Sequence, residues 1–192
     1  RAADFFAAWD TDTTRPPTHF GGAFDLPFTR SALGMGAEAA GPSQLSALAD
    51  EARTAVQDGF LGIDVEPEYT PWVTTEEITH LGHVAAEMGV PMFFHARYST
   101  ADRPGEDNAA ALEEVLGVAR ETGASVHVSH ITSTGGTHTM AASLATLDAA
   151  RAEGVDVTAC FYPYDFWATY LGSARFSEGW QERFGITYAN QI

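Results

Sequence analysis

The stretches FFHAR (residues 93–97) and VHVSH (residues 126–130) determine how the rest of the chain is interpreted. Each is a short run rich in apolar residues with a histidine at or near its end, His95 in the first and His130 in the second, and one helix-length segment separates them. In an architecture of alternating strands and helices, this spacing delivers both imidazoles to the same rim of one parallel sheet. Two neutral imidazoles on one rim make half of a zinc site.

The composition fits one globular domain with a strongly acidic surface. The chain has 192 residues, and its 45% hydrophobic content supplies enough apolar surface for a core. The formal net charge is −16, from 26 acidic residues against 10 basic ones, and every basic residue is arginine. Such a field repels nucleic acid and anionic membranes, so neither is an expected partner. A high-salt host and a GC-rich genome explain this composition equally well.

The sequence also indicates where in the cell the protein is located and whether the chain is complete. No run of about 18 apolar residues and no signal-peptide pattern occurs, so no membrane span is expected. The single cysteine, Cys160, excludes an internal disulfide and favours a reducing compartment, which predicts a cytoplasmic protein. Cys160 itself is interpreted as buried and inert, because no base lies near it in sequence. The chain opens at Arg1 without a methionine, which suggests a partial chain.

Hydrophobic periodicity predicts strands alternating with helices at a period of roughly 30 residues. A helix over residues 1–12, a doubtful short strand at residues 18–24 and an irregular loop to residue 36 precede this regular part. No clear strand follows residue 164. The regular part comprises predicted helices at 42–57, 74–89, 109–121 and 140–153, and predicted strands at 60–66, 91–94, 125–129 and 155–161.

This alternation fits either a doubly wound sheet or a TIM barrel. The only glycine-rich loop, at residues 134–136, lacks the glycine spacing of a dinucleotide-binding fingerprint, which favours the barrel. A closed barrel needs about 250 residues, and this chain holds five of the eight units at most. We therefore expect an α/β fold that is a partial (β/α)8 barrel. Residues 1–192 are interpreted as a single partial catalytic domain, the middle portion of a longer enzyme.

Polar side chains just past the predicted strands are the candidate site residues. His95 and His130 are the candidate metal ligands, and the alternative is a hydrogen-bonded histidine pair at the barrel mouth. Three carboxylates, Asp64, Glu66 and Glu68, follow the strand at 60–66, and Glu66 is the one best placed to bind or bridge metal.

Two further residues are candidates for binding substrate. The fork of Arg97 suits a substrate carboxylate, although a loop ion pair with Asp102 or Glu106 is nearly as plausible. Tyr162, which flanks Pro163 with Tyr164, offers a phenol to a carboxylate or an oxyanion, and the alternative is an aromatic plug. His127 alternates with two valines and is interpreted as a satisfied interior side chain. His19, in a predicted loop, is interpreted as solvated.

The order of several short motifs resembles a known family. DGFLG (58–62), YTP (69–71), TEEI (75–78), HAR (95–97), SH (129–130), GVDVTA (154–159) and YPY (162–164) follow one another as in the N-acyl-D-amino-acid deacylases of the amidohydrolase superfamily. The match covers roughly residues 43–171. No single motif is decisive, but their order and spacing together are specific.

The resemblance implies a zinc-dependent (β/α)8 barrel with one or two metal ions. It places metal-ligand roles on His95 and His130 and contact with the substrate carboxylate on Tyr162. The implied reaction is hydrolysis of a linear amide, the substrate being an N-acyl-D-amino acid, by attack of a metal-activated hydroxide. A cyclic-amide hydrolase of the dihydroorotase or hydantoinase kind and a non-catalytic binding barrel remain alternatives.

The chain also departs from the family pattern. An early His-x-His pair, a bridging cysteine and the general-base aspartate of the last strand have no counterpart here, so no catalytic residue is assigned and the aspartate is expected downstream. Thr132 stands where a lysine is frequent, Ala168 where a serine helps to bind the carboxylate, and Cys160 near an acidic position. These changes affect substrate specificity more than metal chemistry, and the oligomeric state stays open.

Overall fold

The chain folds around one parallel sheet. The computed structural model describes residues 2–11, 14, 21–101, 103–166, 168–170, 172–176 and 178–184. Five strands lie side by side in chain order, and every neighbouring pair is parallel. A doubly wound sheet reverses its strand order at a switch point, whereas a barrel does not. The unreversed order of the described strands confirms the predicted α/β fold, a partial (β/α)8 barrel.

Helices connect the successive strands, as a βα repeat requires. None of the described helices is long and apolar enough to cross a membrane. A short 3-10 helix, Ala174–Phe176, follows the last strand. In chain order the elements are α1 (Ala2–Asp10), β1 (Phe24–Asp25), α2 (Leu26–Ala32), α3 (Pro42–Gln57), β2 (Ile63–Val65), α4 (Thr75–Met88), β3 (Met92–Phe94), α5 (Asn108–Thr122), β4 (Val126–Val128), α6 (Met140–Ala152), β5 (Val157–Ala159) and α7 (Trp180–Phe184).

Capping residues explain where the central helices begin and end. Thr74 precedes α4, and its Oγ1 accepts a hydrogen bond from the backbone N–H of Glu77 at 3.2 Å. Asp107 caps α5 with its side chain in the same way. Both helices end at glycines in the left-handed conformation, Gly89 (φ 67°) and Gly123 (φ 74°), a backbone geometry that favours glycine. The Thr74 cap and both glycine stops agree with the predicted boundaries.

The two faces of the sheet differ in polarity, and this difference positions the site. The inner face carries Asp64, Phe93, His127 and Thr158, which stand in register across four strands. His127 bonds through Nδ1 to Thr158 Oγ1 at 2.7 Å and packs edge-on against Phe93, so its partners lie on this face. The other face packs on the helices, and most of its side chains are at most 2% exposed: Ile63, Val65, Met92, Phe94, Val126, Val128 and Val157.

The segment before α3 differs from its prediction. The sequence pattern predicts an irregular loop there, but the structure has β1 at residues 24–25 followed at once by α2. Asp25 Oδ1 accepts from the backbone N–H of Phe28 at 2.6 Å, and Pro27 stands in the first turn. These are ordinary helix-start signals that hydrophobic periodicity does not register. Of the doubtful strand predicted at residues 18–24, Phe24 belongs to β1, whereas residues 18–20, His19 among them, lie outside the described residues.

The observed strands are shorter than predicted. Strands β2 and β5 have three residues each, against predicted runs at 60–66 and 155–161. The apolar residues at the outer ends of these runs, Leu61 and Phe161, are 62% and 69% exposed and lie beyond the strands. Apolar character alone therefore overstates strand length. After residue 164 the described residues contain helical turns and no strand, as expected.

A buried ion pair joins α2 to α4. Arg30 Nη1 lies 2.6 Å from Glu77 Oε1, and the two side chains are 3% and 0% exposed. Arg30 Nη2 also donates to the backbone carbonyls of Gly36 and Glu38, so the connection after α2 is anchored to the same guanidinium. Removing one partner of such a pair leaves an uncompensated buried charge, which is far costlier than the pair itself is stabilising.

We expect Glu77→Ala to lower the free energy of unfolding by about 3–5 kcal/mol, because Arg30 is left buried without its carboxylate. Urea denaturation of the purified protein measures this change. Glu87→Ala is the matched control, since Glu87 pairs with Arg53 on the surface and its loss should matter far less. Equal effects of the two substitutions would show that the buried pair is not a structural anchor.

Candidate functional site

Two imidazole rings meet at the rim where β3 and β4 end. His95 directly follows β3, and His130 stands two residues beyond β4. Because these strands are parallel neighbours, the two side chains project at the same edge of the sheet. His95 Nδ1 lies 3.2 Å from His130 Nε2, and the ring planes are inclined by 73°. The structure thus brings together the two histidines that the sequence singles out.

An unusual backbone conformation directs His130 into this cluster. Side chains alternate between the faces of a strand, so His127 and Ser129 share the inner face and the next residue would point away from it. His130 has φ 35°, in the left-handed region that residues other than glycine rarely adopt. This turn breaks the alternation and carries the ring to His95. Such strain concentrates at functional sites and costs on the order of 1–3 kcal/mol.

Hydrogen bonds fix the other nitrogen of each ring. His95 Nε2 lies 2.6 Å from Glu68 Oε2. An ionised carboxylate only accepts hydrogen bonds, so a neutral His95 ring paired with one carries its proton on Nε2 and presents the lone pair of Nδ1 toward His130. His130 Nδ1 lies 3.0 Å from Ser133 Oγ, a hydroxyl that can donate or accept. The serine therefore allows His130 Nε2 either to donate to His95 or to offer a lone pair.

The spacing of the facing nitrogens suits a metal ion. Zinc binds histidine nitrogen at about 2.0–2.1 Å, so two such ligands in tetrahedral geometry lie about 3.3 Å apart. The distance between His95 Nδ1 and His130 Nε2 is 3.2 Å. Among the described residues, no group of three or more His, Cys, Asp or Glu side chains is arranged to hold a metal ion. This part of the chain therefore presents two facing nitrogens and not a complete ligand set.

The electrostatic surroundings favour a neutral imidazole at His130. Burial lowers the pKa of His130, and the charge of a protonated His95 lowers it further. The neutral ring is the form that binds metals. Burial also raises the pKa of Glu66, and the charge of a protonated His95 partly offsets this rise, so Glu66 lies within electrostatic range of His95.

The carboxylate that contacts His95 belongs to Glu68, which the sequence pattern ranks below Glu66. Glu68 also accepts hydrogen bonds from Ser99 Oγ and from Arg175 Nη1, the latter at 2.7 Å. The ring of Tyr69 packs on His95 with centroids 4.5 Å apart. Arg175 is separated from Glu68 by more than a hundred residues, so no local pattern could have linked them.

Arg97 forms an ion pair in this structure, and its contact with a substrate carboxylate stays a prediction. Its Nε and Nη2 both donate to the carboxylate of Glu114 on α5, at 2.9 and 2.8 Å, and Nη2 also donates to the carbonyl of Val73. The structure thus uses its fork to join the loop after β3 to α5. An acidic partner agrees with the alternative of an ion pair, but the partner is Glu114; Glu106 is not the residue paired, and Asp102 lies outside the described residues.

The segment after β5 contains the remaining candidates. Tyr162 is half-buried, its backbone N–H donates to Thr132 Oγ1 at 3.0 Å, and its ring packs edge-on against Tyr164. Cys160 is exposed, so the prediction of a buried thiol is wrong: the strand ends at Ala159 and the side chain lies beyond it. The Sγ of Cys160 accepts a hydrogen bond from the backbone N–H of His130 at 3.2 Å, which places it beside the histidine pair.

A curated protein of similar sequence is a deacylase. The chain is 36% identical over 121 residues to N-acyl-D-glutamate deacylase from Alcaligenes xylosoxydans xylosoxydans, which corresponds to 61% of this chain and 24% of that protein. The chain therefore spans about a quarter of the length of this curated relative. No family model matches the chain.

Solved structures give the same result at the level of the fold. N-acyl-D-glutamate deacylase from Bordetella bronchiseptica, crystallised with zinc and a phosphonate mimic of the tetrahedral intermediate, superposes with a TM-score of 0.71 at 29% identity, covering 85% of this chain and 34% of that one. A D-aminoacylase described as defining a novel subset of amidohydrolases superposes with a TM-score of 0.57 at 25% identity, covering 66% and 26%. The predicted resemblance to N-acyl-D-amino-acid deacylases of the amidohydrolase superfamily is confirmed.

Asp64, on the inner face of the sheet below the histidines, has a strongly raised pKa. Burial, followed by repulsion from Glu66 and Asp25, raises the pKa of Asp64 from 3.8 to about 7. The folded protein thus binds this proton more tightly than the unfolded chain does. The contribution of this bound proton to the free energy of unfolding is therefore fully present below pH 3.8. It is lost as the pH rises through about 7.

We expect Asp64→Asn to abolish this pH dependence, because an amide does not ionise. The change that it makes in the free energy of unfolding should be more stabilising at pH 8 than at pH 5 by on the order of 2–4 kcal/mol. Urea denaturation at the two pH values measures the difference. Asp148→Asn, at an exposed position on α6, serves as the control and should give the same change at both. If the two variants behave alike, Asp64 is ionised without penalty in the folded protein.

Proposed function

We propose that this chain is part of the catalytic barrel of a metal-dependent amidohydrolase that cleaves the linear amide of an N-acyl-D-amino acid. The observation that carries the proposal is the pair of facing nitrogens, 3.2 Å apart, at the rim of the barrel. Similarity to two N-acyl-D-glutamate deacylases, one of them solved with zinc, supports the choice of reaction. Residues 1–192 are, in this proposal, the middle portion of a single domain.

The proposed ligands are His95 through Nδ1 and His130 through Nε2, with one or two zinc ions as cofactor. Glu66 is a further candidate, because it is half-buried and within electrostatic range of His95. Catalytic zinc has three protein ligands, which His95, His130 and Glu66 would supply for one ion, and any ligand beyond these is proposed to lie outside the described residues. When bound, the metal activates water for attack on the amide carbonyl and polarises that carbonyl.

The residues of this chain orient the reactants more than they transfer protons. His95 and His130 are held by Glu68 and Ser133 with their free nitrogens facing each other, so little reorganisation is needed when an ion binds. Tyr162 is proposed to donate a hydrogen bond from its phenolic O–H to the substrate carboxylate. Arg97 is left out of the proposed substrate site, because Glu114 engages its guanidinium. The general-base aspartate is proposed to lie downstream.

A small-molecule substrate is the only partner in this proposal. The net charge of −16 disfavours nucleic acid and anionic membrane surfaces. A cytoplasmic location is part of the same proposal, since the single cysteine is exposed and has no partner for a disulfide within the chain.

Hydrolysis assays on the zinc-loaded, full-length protein test the reaction. We expect release of carboxylate and free amino acid from N-acetyl-D-amino acids, including N-acetyl-D-glutamate, with little turnover of the L enantiomers. Hydantoins and dihydroorotate are assayed beside them to separate linear from cyclic amides. Hydrolysis of the cyclic compounds alone would contradict the proposal, as would a zinc-loaded protein that cleaves none of these amides.

We expect His95→Ala and His130→Ala each to lower kcat/KM by more than about 100-fold and to reduce the bound zinc, because losing a ligand exceeds the roughly 10–100-fold cost of losing an outer partner. Metal analysis of the purified variants accompanies the assay. His83→Ala removes an exposed histidine on α4 and is the matched control. Full zinc content and activity in His95→Ala and His130→Ala would show that these histidines are not metal ligands.

A further inference from the structure

Glu68 occupies an unusual position for a carboxylate near a candidate metal site. Its side chain is only 7% exposed, and three donors from two separate parts of the chain surround it. His95 Nε2 and Arg175 Nη1 both contact Oε2, at 2.6 and 2.7 Å, and Ser99 Oγ donates to Oε1. A buried charge of this kind persists only when its lone pairs are satisfied, and here both oxygens are used.

The geometry of these contacts separates Glu68 from the metal position. Glu68 meets His95 on Nε2, whereas His130 faces the opposite nitrogen, Nδ1. The imidazole therefore stands between the carboxylate and the nitrogen of His130. A carboxylate placed behind a ring in this way fixes the tautomer and the orientation of the ring and raises its basicity as a ligand.

The carboxylate is itself fixed by its other donors. The guanidinium of Arg175, in the 3-10 helix after β5, balances the charge of Glu68 and is 12% exposed. The hydroxyl of Ser99 orients the second oxygen from the loop after β3. Tyr69 packs against the ring of His95 and limits its rotation. The position of the His95 imidazole is thus determined by four side chains from three segments of the chain: Glu68, Tyr69, Ser99 and Arg175.

We propose that Glu68 is a positioning residue of the metal site: it keeps the proton of His95 on Nε2 and thereby holds the Nδ1 lone pair toward His130. The inference rests on the proposed function, because it assumes that Nδ1 of His95 binds the ion. Glu68 does not contact the ion or the substrate in this role. Arg175 and Ser99 act one step further out, by holding the carboxylate.

The hydrogen bonds determine which substitutions are informative. Glu68→Gln can keep its amide oxygen at the Oε2 position, where it still accepts from His95 and Arg175, while its amide nitrogen donates to the Ser99 hydroxyl. Glu68→Ala removes the acceptor entirely. The glutamine variant should therefore retain the His95 tautomer, and the alanine variant should lose it.

Nitrogen-15 NMR of histidine-labelled, full-length protein at alkaline pH reads the tautomer directly, before and after zinc loading. In the wild type we expect His95 to be protonated on Nε2 in both states. A wild-type His95 protonated on Nδ1 before loading would overturn the inference, and this reading needs no variant. The same spectra should show the Nε2–H form retained in Glu68→Gln and mixed tautomers in Glu68→Ala.

Zinc affinity, measured by chelator competition without substrate, is the second readout. We expect Glu68→Ala to weaken zinc binding about 10–100-fold and Glu68→Gln to change it only a few-fold. Glu114→Gln is the matched control: its carboxylate is also paired with an arginine and 11% exposed, but it contacts no histidine of the pair, so zinc affinity should be unchanged.

The outcomes distinguish this inference from the proposed function. Wild-type zinc affinity in Glu68→Ala, together with loss of zinc in His95→Ala, would overturn the role of Glu68 and leave the metal site intact. Absence of zinc binding in the wild type would instead overturn the proposed function. Equal weakening in Glu68→Ala and Glu114→Gln would mean that the effect is general destabilisation, which also contradicts the inference.

Discussion

Parallel pairing between β3 and β4 is the constraint on which the site depends. The register sets Phe94 opposite Val128, and both side chains are fully buried against the helices. A slip of one residue would reverse the facing of every side chain on the shifted strand and expose this core, so the register is strongly specified. His95 follows β3 directly and His130 stands two residues beyond β4, so the separation of the two side chains depends on that register.

Buried polar contacts then convert a shared rim into a defined geometry. A carboxylate at 7% exposure is tolerated because His95, Ser99 and Arg175 satisfy it, and the same contacts orient the ring of His95. The left-handed backbone at His130 brings the second ring to the first. Packing of the sheet and arrangement of the site are therefore coupled. Glu68, in the loop after β2, contacts both the loop after β3 and the segment after β5.

The parts of this arrangement that follow from periodicity are predictable from the sequence. Strand ends in a βα repeat lie on one rim, which is sufficient to pair His95 with His130 and to predict the barrel. The choice of Glu68 over Glu66 is not predictable in this way, because it depends on Arg175, a residue distant in sequence. The burial of Cys160 is predicted wrongly, since its apolar neighbours suggest a longer strand than the ladder of hydrogen bonds supports.

In the proposed metal site, one ion binds both rim nitrogens. Anomalous diffraction at the zinc absorption edge, from crystals of the zinc-loaded full-length protein, tests this arrangement. We expect an anomalous peak about 2.0–2.1 Å from both His95 Nδ1 and His130 Nε2. A peak bound elsewhere, with the two rings still hydrogen-bonded to each other, would contradict it.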